Sequence, residues 1–282
     1  MRTANLAGRL VLVTEEGALD VESASDGRFS PDPQTAFERW DELRAWAPDA
    51  EGEAQPLDEA RLGPPVPHPR QVFGIGMNYA GHAAEAGIDL PEFPSVFTKF
   101  PTSIAAPHAT IALPSERVDW EVELVVAIGR HAAGVAERDA WAHVAGVTVG
   151  QDLSERRVQM RPPVPQFSLG KSFPGFGPIG PLLVTPDELA DPDDLEVSCT
   201  LNGEVVQQAR TSDLVFSVPA LVAQLSAIVP LLPGDLIFTG TPAGIGATRR
   251  PQRFLTAGDE LVSSVAGVGT MHTRFAVNGS AG

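Results

Sequence analysis

The chain runs to 282 residues with 43% hydrophobic content, enough for a sizeable core in one large domain or in a large domain with a small companion. Its formal net charge of −16 argues against non-specific binding to nucleic acid or to an anionic membrane, since both need clustered Lys and Arg that this sequence does not offer. The single cysteine, Cys199, excludes an internal disulfide; it alternates with Leu195, Val197 and Leu201 and reads as a small buried hydrophobe rather than a nucleophile.

The first residues, Met1 to Arg9, are not followed by a long apolar segment, so neither a signal peptide nor a membrane anchor is expected and the cytoplasm is the default location. Residues 1–66 form a small αβ unit. It holds a strand over Leu10 to Val13, a turn at Gly17, and a helical pattern from Pro33 to Trp46 with Ala36, Phe37, Trp40, Leu43 and Trp46 on one side. An acidic stretch, Asp49 to Glu53, and a proline-rich linker, Gly63 to Pro69, close it and set the boundary to residues 67–282. Beyond that boundary, short β-like runs are broken by Gly and Pro: Val72 to Ile75, Glu123 to Ile128, Gly146 to Val149, Leu182 to Val184, Leu195 to Leu201, Leu236 to Thr239, Glu260 to Val265 and Gly269 to Phe275. Helices are few, the best at Tyr79 to Ala86 and Val218 to Ile228. The fold class is therefore strand-dominated α+β rather than an alternating βαβ sheet.

His82 and Glu85 stand three apart, one face of a helix, where a carboxylate can orient an imidazole as general base; an exposed helical pair of small energetic value is the alternative. From Val118 to Val126 the residues alternate, placing Asp119, Glu121 and Glu123 on one face of a half-buried strand and Trp120, Val122 and Leu124 on the other. Like charges about 7 Å apart repel unless neutralised, and oxygen ligands favour a hard divalent ion, although carboxylates pointing into water explain the pattern equally. Asp152 follows the apolar run Val144 to Gly150, either as a further ligand at a strand exit or as a helix cap in competition with Ser154. Lys171, preceded by Arg156 and Gln159, is either a solvated surface lysine or a cation placed to stabilise an enolate or carboxylate. The loop Gly240 to Gly246 lacks the ending of a phosphate loop; its amides either approach a small ligand or form a surface turn.

In this order, His82-Ala83-Ala84-Glu85, Asp119-Trp120-Glu121-Val122-Glu123, Gln151 to Arg156, Gln166 to Ser172, Leu201-Asn202-Gly203-Glu204, Pro233-Gly234-Asp235 and Thr239 to Gly246 strongly resemble the fumarylacetoacetate hydrolase superfamily over roughly residues 70 to 275. The resemblance implies a mixed β-sandwich roll, a homodimer, and one Mg2+ or Mn2+ per subunit held at the positions of Glu121, Glu123 and Asp152, with Asp119 a neighbour. It implies that His82 and Glu85 activate water on a mobile lid and that Gln159 and Lys171 contact the substrate's oxyanion or enolate. Thr241 then lines the carboxylate end of the substrate, and Arg156 lies against the metal site. Three features depart from many relatives: Gln151 in place of Asn, Phe167 in place of Trp, and a short proline-bearing loop, Arg161 to Pro165, all expected beside the substrate.

The reaction this implies is metal-dependent hydrolysis of a carbon–carbon bond in an acylpyruvate or related 2,4-diketo acid. An isomerase, tautomerase or decarboxylase of hydroxymuconate-like or oxaloacetate-like acids would use the same ion without attacking water, and a non-catalytic binding protein of the same fold is the third reading. The expected partner is a small 2-oxo acid, with no nucleic acid and no membrane.

Overall fold

The computed structural model describes residues 1–277. The apolar runs become the strands Val72–Gly76, Val122–Ile128, Val144–Gln151, Gly177–Val184, Glu196–Leu201, Leu236–Phe238, Glu260–Val265 and Gly269–Val277, and the two helical patterns become Ala80–Ala86 and Val218–Ser226. Gly87, at φ 69°, closes the first helix in the left-handed conformation, and Ser217 caps the second by accepting from the Ala220 amide, with a proline in its first turn.

The main path of a 12-stranded sheet runs Ala54–Gln55, Gly17–Asp20, Arg9–Thr14, Arg2–Leu6, Gly177–Val184, Val144–Gln151, Val122–Ile128, Leu236–Phe238, Val72–Gly76 and Ser95–Thr98. Residues before the proline-rich linker thus extend the sheet that carries the rest, Arg2 pairing with Val184 and Thr3 with Leu183. A five-stranded sheet, in the order Glu204–Arg210, Glu196–Leu201, Glu260–Val265, Gly269–Val277 and Thr110–Leu113, packs against it. Most neighbours are antiparallel; Leu236–Phe238 runs parallel to Val72–Gly76 and Gly269–Val277 to Thr110–Leu113. This is the strand-dominated α+β sandwich expected. No helix among the described residues is long and apolar enough to cross a membrane.

Alternation along Val122–Ile128 divides the core. Val122, Leu124, Val126 and Ile128 fill the space between the sheets with Val197, Cys199, Leu201, Leu261 and Met271. Val125 and Ala127 point the other way, into a second cluster with Phe37, Trp40 and Leu43. The strand expected to be half-buried is consequently buried on both faces, because the N-terminal helix covers the side that alternation alone assigned to solvent. Glu121 and Glu123, on the same face as Val125 and Ala127, are buried as well.

Leu124→Ala removes a side chain with no exposed surface from between the sheets, and should cost about 2–5 kcal/mol in chemical denaturation of the metal-free protein; a loss below 1 kcal/mol would contradict the packing described.

Candidate active site

The ladder between the two central strands assembles an acid trio. Val122 lies opposite Gln151, and the Asp152 amide donates to the Glu121 carbonyl at 2.9 Å, one step beyond the strand ends, so that Asp152 is delivered beside Glu121. Glu123 stands on the same face two residues along. Oxygen atoms of Glu121, Glu123 and Asp152 lie within 4.8 Å of one another, all three side chains buried. Asp152 caps no helix; Glu155 does, accepting from the Val158 amide at 2.6 Å. Gln151, expected beside the substrate, instead turns between the sheets, accepting from the Glu121 amide and donating to Ser263 Oγ and Cys199 Sγ. Burial pushes the Cys199 thiol up to about 12, so it stays protonated, as expected of a small hydrophobe.

Three cations answer these acids. Lys171 Nζ donates to Glu121 Oε2 at 2.8 Å, Asp152 Oδ2 at 2.5 Å and Ser154 Oγ at 2.9 Å. Lys99, which the sequence reading overlooked, donates to the other Asp152 oxygen at 2.7 Å, to the Phe176 carbonyl at 3.1 Å and to the Lys171 carbonyl. Arg156 forks onto Asp119 Oδ2 through Nε at 2.9 Å and Nη2 at 2.7 Å, and reaches Glu121 Oε1 at 2.7 Å. Asp119 is further held by the amides of Gly246 at 2.7 Å and Ala247 at 2.9 Å, making it a clamp for Arg156 rather than a member of the trio.

Four buried carboxylates thus meet three cations, and the uncompensated one is Glu123. Its hydrogen bond is to the Gly240 amide, at 2.8 Å. Burial, reinforced by the charges of Asp152 and Glu121, raises Glu123 well above the usual carboxylate range. Burial acts on Glu121 in the same sense, yet Lys171 and Arg156 outweigh it and hold that carboxyl near about 2. An all-oxygen trio in which one carboxyl, Glu123, lacks a cationic partner suits a hard divalent cation such as Mg2+ or Mn2+. Among the described residues it is the one such group of His, Cys, Asp or Glu.

Above the trio opens a cavity of about 530 Å³ lined by His82, Glu121, Arg156, Gln159, Lys171 and Thr241 together with apolar residues that include Ile88, Phe97 and Phe167. Six of the nine expected site residues therefore face one space; Glu123 and Asp152 complete the trio, and Glu85 stands against His82 with 3.5 Å between Oε2 and Nδ1. His82 is buried, and its Nδ1 makes no hydrogen bond. Glu85 also accepts from the Gly244 amide at 3.1 Å, tying its helix to the glycine-rich loop. The amides of that loop are thus spent on the site's own acids: Gly240 on Glu123, Gly244 on Glu85 and Gly246 on Asp119. Thr241 Oγ1 donates to the Val122 carbonyl and accepts from Gln207, which fixes it to the sheet at the cavity wall.

Two stacked sheets whose central strands end in a carboxylate trio beneath a cation-lined cavity define a strand-dominated protein with three buried oxygen-ligand side chains that could hold a metal ion. Residues 71–276 match the family model described as Fumarylacetoacetate (FAA) hydrolase C-terminal. The human protein named Oxaloacetate tautomerase FAHD2A, mitochondrial, is 44% identical over 218 residues, covering 77% of this chain and 69% of its own length. A crystal structure of a Mycobacterium smegmatis protein superposes with a TM-score of 0.94 at 53% identity, covering 99% of this chain and 100% of that one. The maleylpyruvate hydrolase of Sphingobium sp. SYK-6, solved with manganese(II) and pyruvate, superposes with a TM-score of 0.78 at 28% identity over 98% of this chain and 99% of its own. The chain belongs to the fumarylacetoacetate hydrolase family.

Because Glu123 retains its proton in the metal-free protein where an unfolded chain has lost it, its contribution to stability is greatest below the usual carboxylate pKa and fades as pH rises. Metal needs the anion, so Mn2+ affinity should fall as pH is lowered and binding should release a proton, read by calorimetry in buffers of unequal ionisation enthalpy. A pH-independent affinity would count against the assignment. Glu123→Gln should abolish Mn2+ binding while raising the melting temperature of the metal-free protein, more so at higher pH. Lys99→Met should cost about 3–5 kcal/mol by denaturation, since it leaves a buried Asp152 oxygen unpaired.

Proposed function

We propose that this protein is a Mg2+- or Mn2+-dependent enzyme that makes and discharges the enolate of a 2-oxo acid, with keto–enol tautomerisation or double-bond isomerisation as its reaction. The reading rests on one arrangement: a buried base, His82, whose Nδ1 has no hydrogen-bond partner among the described residues, shares a cavity with Glu121 of the acid trio and with three donor groups, Lys171, Arg156 and Gln159. A divalent cation held by Glu121, Glu123 and Asp152 supplies Lewis acidity toward the oxygens of a bound 2-oxo acid.

The chain's own residues account for the rest. The imidazole of His82 takes the proton from the carbon next to the carbonyl and returns it at carbon or oxygen, with the Glu85 carboxylate alongside Nδ1 at 3.5 Å to orient the ring. Gln159 Oε1 accepts from Arg156 at 2.8 Å, which aims the amide nitrogen, free of other partners, at the cavity as a donor for developing negative charge. Lys171 adds a fixed positive charge at the same wall. Apolar side chains, Phe97, Phe167 and Ile88 among them, restrict water and strengthen these interactions. The human relative whose name specifies oxaloacetate tautomerisation supports this reaction class.

Hydrolysis of an acylpyruvate is the second reading, favoured by the His82–Glu85 pair, which can equally activate a water molecule. Its support among similar structures is the maleylpyruvate hydrolase holding manganese and pyruvate.

Purified protein with Mn2+ or Mg2+ should accelerate the enol-to-keto conversion of oxaloacetate, followed in the ultraviolet, and should release little pyruvate from acetylpyruvate. His82→Gln should lower the rate by roughly 10²-fold or more without loss of Mn2+ binding. Pyruvate release without tautomerisation transfers the assignment to the hydrolase; metal-independent rates, or none on any 2-oxo acid, remove both readings.

A further inference from the structure

The cavity extends well past the groups that a short 2-oxo acid would occupy. Arg117, in the turn just before the strand Val118–Asp119, lines the same cavity as Glu121, roughly 13 Å of backbone away. The ladder fixes this outer end. The Arg156 amide donates to the Arg117 carbonyl at 3.0 Å, and the Leu255 amide donates to the Val118 carbonyl at 2.9 Å, which lays Phe254 beside Arg117. The Arg117 guanidinium rests over the Phe254 ring at 4.9 Å, and Nη1 donates to Gln252 Oε1 at 3.0 Å. Gln252 is itself pinned by donating to the Ala247 carbonyl at 2.8 Å.

The cavity's three arginines differ in how their charge is met. Arg156 is paired with Asp119 and Glu121, and Arg157 with Glu116 at 2.6 Å. Arg117 has no carboxylate in ion-pair range among the described residues, although Glu116 is its neighbour in sequence and the chain carries 36 acids against 20 Lys and Arg. Its Nε and Nη2 have no acceptor among the described residues, while stacking and the Gln252 bond hold the fork in place. The same lining includes the apolar side chains of Phe97, Met160, Phe167 and Ile245. The cavity therefore offers the acid Glu121, an apolar stretch and an arginine with free donors within one space.

We propose that Arg117, seated on Phe254, is a specificity-determining residue that binds the distal carboxylate of a 2-oxo dioic acid longer than oxaloacetate, whose methylene or alkene spacer crosses the apolar stretch. The assignment rests on the reading above that the 2-oxo acid end lies at the trio.

Calorimetric titration of Mn2+-loaded protein with 2-oxoadipate and with 2-oxohexanoate tests it, because the two acids share a six-carbon chain and differ in the terminal carboxylate. The dioate should bind at least about tenfold more tightly. Arg117→Gln should bring the ratio close to one while changing 2-oxohexanoate affinity by less than about twofold, which also shows that the cavity has folded. Arg157→Gln should leave the ratio intact. Equal affinities in the unmodified protein, a preference that survives Arg117→Gln, or one that Arg157→Gln abolishes would each overturn the assignment while leaving the 2-oxo acid reading in place. Binding of neither acid would overturn both.

Discussion

Four carboxylates, Asp119, Glu121, Glu123 and Asp152, sit in an interior that offers them three cations, and the rest of the structure follows from keeping them there. An unpaired buried charge is costly enough that a group so placed neutralises itself or acquires a partner. Glu121 and Asp152 have direct partners in Lys171, Lys99 and Arg156; Glu123 has the Gly240 amide. That asymmetry distinguishes the trio from an ordinary salt-bridge network. A network built only for stability would balance, whereas this one leaves Glu123 without a cation, a deficit that a proton meets in the metal-free protein and that a divalent cation would meet on binding.

The glycine-rich loop shows how closely backbone and charge are coupled. It passes beneath the site so that successive amides meet Glu123, Glu85 and Asp119, an approach that requires φ 106° at Gly240 and 109° at Gly244. A Cβ at Gly246 would overlap the Arg253 carbonyl and crowd Asp119 Oδ1. Glycine here lets the main chain act as a set of fixed donors, so that the loop contributes no charge yet positions three carboxylates that do different work. Asp119 orients Arg156, Arg156 orients Gln159, and the chain of contacts ends at the cavity wall. A displacement at Gly246 would therefore reach the substrate without touching it.

The strands and the acid face were legible because alternation is a local signal that survives burial: Asp119, Glu121 and Glu123 separate from Trp120, Val122 and Leu124 whether or not water covers the acid side. Covering is a long-range property: the helix containing Trp40 and Leu43, which packs on Val125 and Ala127 of that face, and the groups that meet the acids, Lys171, Arg156 and the Gly240 and Gly246 amides, are all distant in sequence. Lys99 escaped notice for the same reason, since its partner Asp152 is 53 residues away and its local context, between Thr98 and Phe100, resembles an edge strand. A compositional trace did exist. The chain has only two lysines, Lys99 and Lys171, its remaining 18 cations being arginine, and both lysines are buried on the acid trio. The missed strand Glu204–Arg210 was also signalled, by Asn202-Gly203 with φ 52° and 83°, a pair suited to a two-residue hairpin. Gln151 shows the opposite failure. Its position in a motif suggested the substrate, but at that strand position its side chain points into the inter-sheet space with Ser263 and Cys199.

A chain with a net charge of −16 is an unpromising receptor for an anion until the range of the field is considered. At physiological ionic strength charges separated by more than about 8 Å are largely screened when exposed, so the distant surface acids contribute little repulsion inside a cleft. The walls of the cavity set the local potential, and Arg117, Arg156, Arg157 and Lys171 all stand there. Arg156, Arg157 and Lys171 are anchored by acids, which holds them rigid but neutralises much of their attraction. Rigidity and attraction are thus assigned to different groups: the paired Arg156 and Lys171 fix the end at Glu121, while net attraction for an anion would come from a metal at the trio and from Arg117, which stacking on Phe254 holds in place of a carboxylate. On the reading proposed above, a metal at the trio and Arg117 would pull on opposite ends of a dianion and orient it before any proton moves.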